Sequence, residues 1–417
     1  MPGPAPHRLC VQWPRLGPYH LARLRAAHER FTSEGWDVVA VETAGDDATY
    51  AWRLETAPEP FQREQVFPSG VVEGLAPRAV HRELTRLLDR LQPDAVAVNS
   101  YSAPDAQAAL TWTRRNRRVA VCMMESTARD APRSPLRERA KGAIVRAFDA
   151  ALAGGTPQRD YLRQLGFDDA FVFEPYDVVD NAHFERIAAG VRAAPEATRH
   201  LPGLGDGPFF LASSRFVARK NLMALLDAYA RYRAADDAPW RLVLLGDGPE
   251  RDRLERRARA IGGVTFAGFQ QYDVLPVYFA RAQAFVHPPL VEPWGLVVNE
   301  ALASGTPVLV SSHVGASTDL VRDGVTGYRF NPHDVGGLAS LLGSFAARTA
   351  ADREAMGRAG QEIVAAWSPE QFADGLWRAV EAGTHRAGRR PSFGAQGLLW
   401  AQRTVSRDAR SFHTLRD

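Results

Sequence analysis

The stretch VEPWGLVVNEALASGTPVLVSS, Val291 to Ser312, reads as a loop, a helix and a strand in succession. Pro293, Trp294 and Gly295 make a turn, a helix opens near Gly295, and the apolar run Pro307–Ser312 is short enough for a buried strand. Just before it, AQAFVHP (Ala282–Pro288) reads as another such strand. Strand, helix and strand in one direction make a βαβ unit, which requires a parallel sheet. The helix start also carries chemistry. Leu296 and Val297 present free backbone N–H groups at a helix N-terminus, whose dipole favours a phosphate, and Gly295 lets a ligand approach the backbone closely. Glu300 follows Glu292 at the eighth position and lies about 7 Å up the helix on the face of Leu296. A carboxylate there can accept two ribose hydroxyls, while Glu292, on the loop, can accept hydroxyls of a second sugar beyond the phosphates.

The same alternation fills the chain. In the first half the candidate strands are Arg8–Trp13, Asp37–Glu42, Asp94–Asn99, Val119–Met124, Ala150–Gly155 and Ala170–Glu174. Helical periods lie between them near Tyr19–Ser33, Ala79–Leu91, Pro104–Thr113, Leu136–Phe148 and Pro157–Leu165. The second half adds strands at Pro208–Ser214, Trp240–Gly246, Val264–Gly268, Ala282–Pro288, Pro307–Ser312 and Gly327–Phe330. The pattern predicts an α/β chain of two Rossmann-like, doubly wound domains, with ligands at the carboxyl ends of the strands in the cleft between them. An Ala-, Gly- and Pro-rich stretch without period marks the linker, so the expected organisation is 1–190, a linker at 191–207, 208–367, and a C-terminal helix with basic tail at 368–417 packing back on the first domain.

Composition agrees: 417 residues allow two domains, and 45% hydrophobic with 24% charged residues is globular rather than disordered or fibrous. No apolar run has the length of a membrane span, and the start MPGPAPHRLCVQW lacks a signal peptide's pattern, so the expectation is a cytoplasmic protein, at most peripheral at the inner membrane face. Two cysteines, Cys10 and Cys122, sit in apolar runs and exclude a disulfide framework or a cysteine zinc site. Of 51 Lys and Arg residues all but Lys141 and Lys220 are arginine. From Thr384 onward seven arginines face two aspartates; an amphipathic helix near Leu398–Val405 and attraction to an acidic acceptor or anionic membrane are both open readings. The basic runs Arg114–Arg118 and Arg133–Arg146 read as solvated helix faces, with an anionic partner as the alternative.

Val291–Ser312 resembles the Glu-x7-Glu signature of the retaining GT-B glycosyltransferases of family GT4, the group 1 glycosyl transferases. The resemblance implies that Glu300 binds the nucleotide ribose and Glu292 the donor sugar, with retention of anomeric configuration. SSRFVARKNL independently puts Arg215 and Lys220 where a strand end meets a helix start, and two cations there can neutralise a leaving diphosphate. The pair is similar to the family's Arg-x4-Lys. LLGDGPERDRL (Leu244–Leu254) reads as strand, Gly-rich turn and helix, resembling the family's loop over the nucleotide. Phe269, after Gly268, stands where the family contacts the base, or else is a core aromatic. Neither Asp-x-Asp nor His-Glu-x-x-His nor a P-loop occurs, so no metal and no cofactor is expected.

The first half is less explicit. WPRLGPYHLARLRAA puts Gly17 and Pro18 in the first strand-to-helix loop and His20 just inside the helix. By resemblance, Gly17 lies near the donor phosphates and His20 faces the cleft on the acceptor side; a plain surface histidine is the other reading. The loop departs from the family's usual Gly-Gly form. At the end of VAVCMMESTARD, where many family members carry histidine, stand Glu125 and Ser126. Glu125, at a strand's carboxyl end, can take the acceptor hydroxyl's proton or bind an amino group, unless it caps a helix or pairs with a cation. YDVVDNAHF (Tyr176–Phe184) resembles the family's Val-Asp-x-x-x-Phe segment, in a structural role.

The expected function is metal-independent transfer of a sugar from a nucleotide sugar, UDP-linked first, to an acceptor hydroxyl on a saccharide, lipid-linked glycan or small metabolite. A sugar-nucleotide epimerase or phosphorylase of the same architecture, and a non-catalytic nucleotide-sugar-binding partner protein, are the alternatives. Nothing in the sequence points to nucleic acid.

Overall fold

A computed structural model describes residues 6–47, 58–205 and 207–387. They form two compact units, one of residues up to Val178 with those from Pro369 onward, the other of Val179–Ser368. The helix expected near Leu398–Val405 lies outside the described residues.

The first unit is a seven-stranded sheet of β1 (His7–Trp13), β2 (Trp36–Asp46), β3 (Gln62–Val71), β4 (Ala95–Asn99), β5 (Val119–Met124), β6 (Ala150–Ala153) and β7 (Val172–Phe173), in the order β3-β2-β1-β4-β5-β6-β7. All its pairings are parallel. Helices cover both faces, so β4, β5 and β6 are apolar along nearly their whole length and β1 is buried from Leu9 to Trp13. The second unit holds β8 (Phe209–Ser213), β9 (Arg241–Leu245), β10 (Val264–Gly268), β11 (Ala284–His287), β12 (Val308–Ser311) and β13 (Gly327–Phe330), ordered β10-β9-β8-β11-β12-β13 and again parallel. In each unit the strand order reverses beside its first strand, between β1 and β4 and between β8 and β11. The crevice outside those strands' carboxyl ends is where such sheets bind ligands.

The sequence reading missed β3. Its residues QREQVFPSGV are polar and half-exposed, and as an edge strand it is paired on one side only, which tolerates Pro68 and blurs the apolar pattern. The stretch expected as a linker, 191–207, holds the end of a helix, Asn181–Ala193, and a 3-10 turn at Pro195–Thr198. That helix starts at Asp180, whose carboxylate accepts from His183 N–H, and buries Phe184, Ala188 and Val191 at helical spacing; its alanines hide the period. The chain passes into the second unit ahead of it, at Val178–Val179.

The helix Pro369–Thr384 belongs to the first unit, where Phe372, Leu376, Ala379 and Val380 are buried and the helix packs on β5, β6 and the helix Pro18–Thr32. Trp377 meets Phe31 edge-on at 5.1 Å, and Arg30 stacks over Trp377 while bonding Asp374 at 2.9 Å. The basic run at Arg114 is not simply a solvated face. Arg114 forms a buried ion pair with Asp149, whose other contact is Ala120 N–H at 2.9 Å, and Arg118 bonds Asp94. No described helix is long and apolar enough to cross a membrane.

Candidate functional site

In the second unit the carboxyl ends of β8 and β11 carry the two loops that sequence singled out. The β8 loop leads through a 3-10 turn, Ala218–Lys220, into the helix Leu222–Ala235. The β11 loop leads through Glu292 into the helix Leu296–Ala303. Because β8 and β11 are neighbours, Lys220 and Glu292 form an ion pair; their side chains are only 12% and 13% exposed. Burial alone would raise the Glu292 carboxyl, but the Lys220 charge and the nearby His287 outweigh it and hold it well below the ordinary range. His287, the last residue of β11, is kept neutral first by burial, then by the charges of Lys220 and Arg219, against the opposing pull of Glu292.

Both loops are braced. Phe216 N–H bonds Asp247 O at 2.8 Å and Glu250 N–H bonds Phe216 O at 2.9 Å, joining the cation loop to the Gly-Asp-Gly turn. Gly248 has φ +155°, and a methyl there would lie 2.6 Å from Phe216 O, so this turn needs glycine for close backbone approach. Asn221 donates to Pro288 O (3.1 Å) and Pro332 O (2.9 Å), and Arg219 O accepts from Leu290 N–H, tying the β8 loop to the β11 loop. Glu292 O and Trp294 O accept from Gly315 and Ala316 N–H at 3.0 Å.

Gly295 caps the helix Leu296–Ala303 in the left-handed region, at φ +95°. Leu296 and Val297, half-buried, are the first helical residues, with N–H groups of the kind that lack intrahelical partners. Glu300, 2% exposed, lies one turn further along. Its charge and that of Asp180 act on buried Tyr272, whose phenol is raised well above its usual value mainly by burial. Arg215 is half-buried on the β8 loop. Phe269, at the carboxyl end of β10, is 41% exposed and therefore no core aromatic.

In the first unit Gly17 caps the helix Pro18–Thr32 and its N–H bonds His20 Nδ1 at 2.9 Å. An accepting Nδ1 carries no proton, so the proton of the neutral ring sits on Nε2. Burial, then the Arg23 charge, depresses the His20 pKa to about 3. The histidine is half-buried against Trp13, ring centroids 4.9 Å apart, and is not a freely solvated surface residue. Glu125 is exposed at the end of β5, with its backbone O accepting from Gln158 at 3.2 Å, and Ser126 beside it is half-buried.

Sequence reasoning missed the group beneath them. Trp13 Nε1 and Asn99 Nδ2 both donate to the fully buried Tyr176 hydroxyl, at 2.8 and 3.2 Å. Burial, then the Glu125 charge, pushes that phenol far up. Trp13 and Asn99 each end a strand, which was the available signal; Tyr176 comes from a distant loop. Among the described residues no cluster of three His, Cys, Asp or Glu side chains is placed to hold a metal ion.

Two parallel, doubly wound units of this strand order have the GT-B fold. Residues 196–363 match the family model "Glycosyl transferases group 1". Lipopolysaccharide core biosynthesis glycosyltransferase LpsE of Rhizobium meliloti is 33% identical over 172 residues, covering 40% of this chain and 48% of that protein. D-inositol 3-phosphate glycosyltransferase of Nocardia farcinica is 30% identical over 298 residues, 66% of this chain and 64% of that one. The chain thus spans less than two thirds of the length of these curated relatives. Among solved structures, Anabaena HepE in complex with UDP aligns over 90% of this chain and 100% of its own with TM-score 0.65 at 18% identity, a likeness of fold.

Proposed function

We propose that this chain transfers a sugar from a nucleotide-sugar donor to an acceptor hydroxyl, without a metal and with retention of anomeric configuration. The observation that carries the reading is the Lys220–Glu292 pair at the β8/β11 switch point, on the loop that leads through Gly295 into the helix Leu296–Ala303 bearing Glu300. In this reading Lys220, Arg215 and the Leu296 and Val297 N–H groups take the charge that develops on the departing diphosphate, the main electrostatic task of the reaction. Glu300 accepts the ribose hydroxyls, Glu292 those of the donor sugar, and Phe269 meets the base. The first unit supplies the acceptor side, with Gly17, the His20 Nε2–H donor, Ser126, and Glu125 as proton acceptor. HepE, a neighbour in fold, binds UDP, which makes UDP-sugars the first donors to try.

Thermal-shift screening of the full chain against UDP-, GDP- and ADP-sugars tests the reading. A donor at about 100 times its dissociation constant stabilises by roughly 2.7 kcal/mol. Glu300→Gln should abolish most of the shift; an unchanged shift removes Glu300 from the ribose site. Peripheral contact with anionic membranes is a further proposal, resting on the arginine-rich stretch after Thr384, and vesicle cosedimentation with and without that stretch tests it.

A further inference from the structure

We propose that His287 is a positioning residue for Glu292, taking hold of its carboxylate when the donor diphosphate draws Lys220 away. The inference rests on the donor reading of the Lys220–Glu292 pair. His287 ends β11, a strand otherwise built of Ala284, Phe285 and Val286, and its ring is 1% exposed and stacked with Phe285 at 5.7 Å. A polar ring in a strand buried on both faces is out of place unless it has a partner. Nε2 has none within hydrogen-bond reach: Glu292 Oε2, the acidic group facing it, is 3.6 Å away. The other charges acting on the ring are Lys220 and Arg219, both on the β8 loop.

Glu292 leans on Lys220 and leaves His287 Nε2 unsatisfied. A lysine moving onto a diphosphate takes its charge from Glu292, and a nearly buried carboxylate then needs another donor. A shift of less than about 1 Å brings Oε2 within bonding distance of Nε2. A neutral imidazole facing a carboxylate carries its proton on that nitrogen. Gly295 keeps this space clear, since a methyl there would lie 3.2 Å from Glu292 Cγ and 3.6 Å from His287 Nε2. The exchange leaves Glu292 ionised and aimed, with lone pairs free for the hydroxyls of the donor sugar. With a nucleoside diphosphate alone, water fills the place of the sugar and supplies Glu292 with donors, so the imidazole is needed only once the sugar excludes that water.

Calorimetric titration of the full chain with UDP and with UDP-glucose, or with the corresponding pair for whichever base the wild type prefers, separates the possibilities. His287→Leu is expected to bind the diphosphate as wild type does and the nucleotide sugar about tenfold more weakly, with donor KM raised in proportion. His287→Gln, which keeps an N–H at similar reach, should recover most of that loss, whereas His287→Asn, too short, should not. Should the leucine variant fail to fold, the Gln and Asn variants decide alone. Equal weakening of both ligands, no weakening of either, or Gln and Asn behaving alike overturns the inference. A wild type that binds the nucleoside diphosphate but no nucleotide sugar defeats the donor reading itself, as does one that binds neither.

Discussion

Lys220 and Glu292 stand 72 residues apart in the chain and form an ion pair between the loops that follow β8 and β11. A buried pair of this kind is sensitive to loss of one member, because the survivor keeps its desolvation cost without its counter-charge. Lys220→Ala should therefore lower the stability of the second unit by about 3 kcal/mol, and the Lys220→Ala/Glu292→Ala double variant by clearly less than the sum of the single changes. Denaturant melts of the four proteins in the cycle measure this. Additive losses would mean that the pair carries no coupling.

Gly295→Ala combines a backbone at φ +95° with a methyl 3.1 Å from Val314 Cγ1. The left-handed conformation costs a non-glycine residue about 1–2 kcal/mol. Donor affinity should fall along with stability, as the helix start shifts; wild-type affinity and melting temperature would show that the glycine is dispensable.

Phe269→Ala removes an exposed aromatic and should change stability by no more than about 0.5 kcal/mol. Loss of stacking on a base should weaken nucleotide binding by about 1–3 kcal/mol. A variant that binds nucleotide as tightly as the wild type removes Phe269 from the base site.

His20 has its pKa depressed from 6.5 to about 3, so the unfolded chain binds a proton there that the folded chain refuses. Stability is then fully present above pH 6.5 and falls as acid carries the chain toward pH 3. His20→Gln should flatten that part of the profile. The nitrogen-15 shifts of His20 should report a neutral Nε2–H ring from about pH 5 to 8; a ring titrating near pH 6.5 would contradict the geometry.

Turnover should survive exhaustive EDTA treatment, because Lys220, Arg215 and the helix terminus are proposed to carry the diphosphate charge. Loss of activity restored by added divalent cation would refute the metal-independent mechanism.

Much of this was legible in order along the chain. Central strands such as Val119–Met124 are contiguous apolar runs bounded by turns, and the Glu292-to-Glu300 segment encodes its turn, helix start and carboxylate spacing within a few residues. Edge strand β3 escaped because it has one neighbour and little apolar pattern, and the helix Asn181–Ala193 because alanine blurs the period.

Local pattern in the sequence is thus enough for the two parallel α/β halves and for the spacing of Arg215 to Lys220 and of Glu292 to Glu300, since each depends on near neighbours. That Lys220 faces Glu292, that His287 lies 3.6 Å from that carboxylate, that Trp13 reaches Tyr176 across 163 positions, and that the helix from Pro369 returns to the first unit all come from long-range packing. Strand order chooses which loops become neighbours, and burial then sets which charges must find one another; neither is written in local spacing.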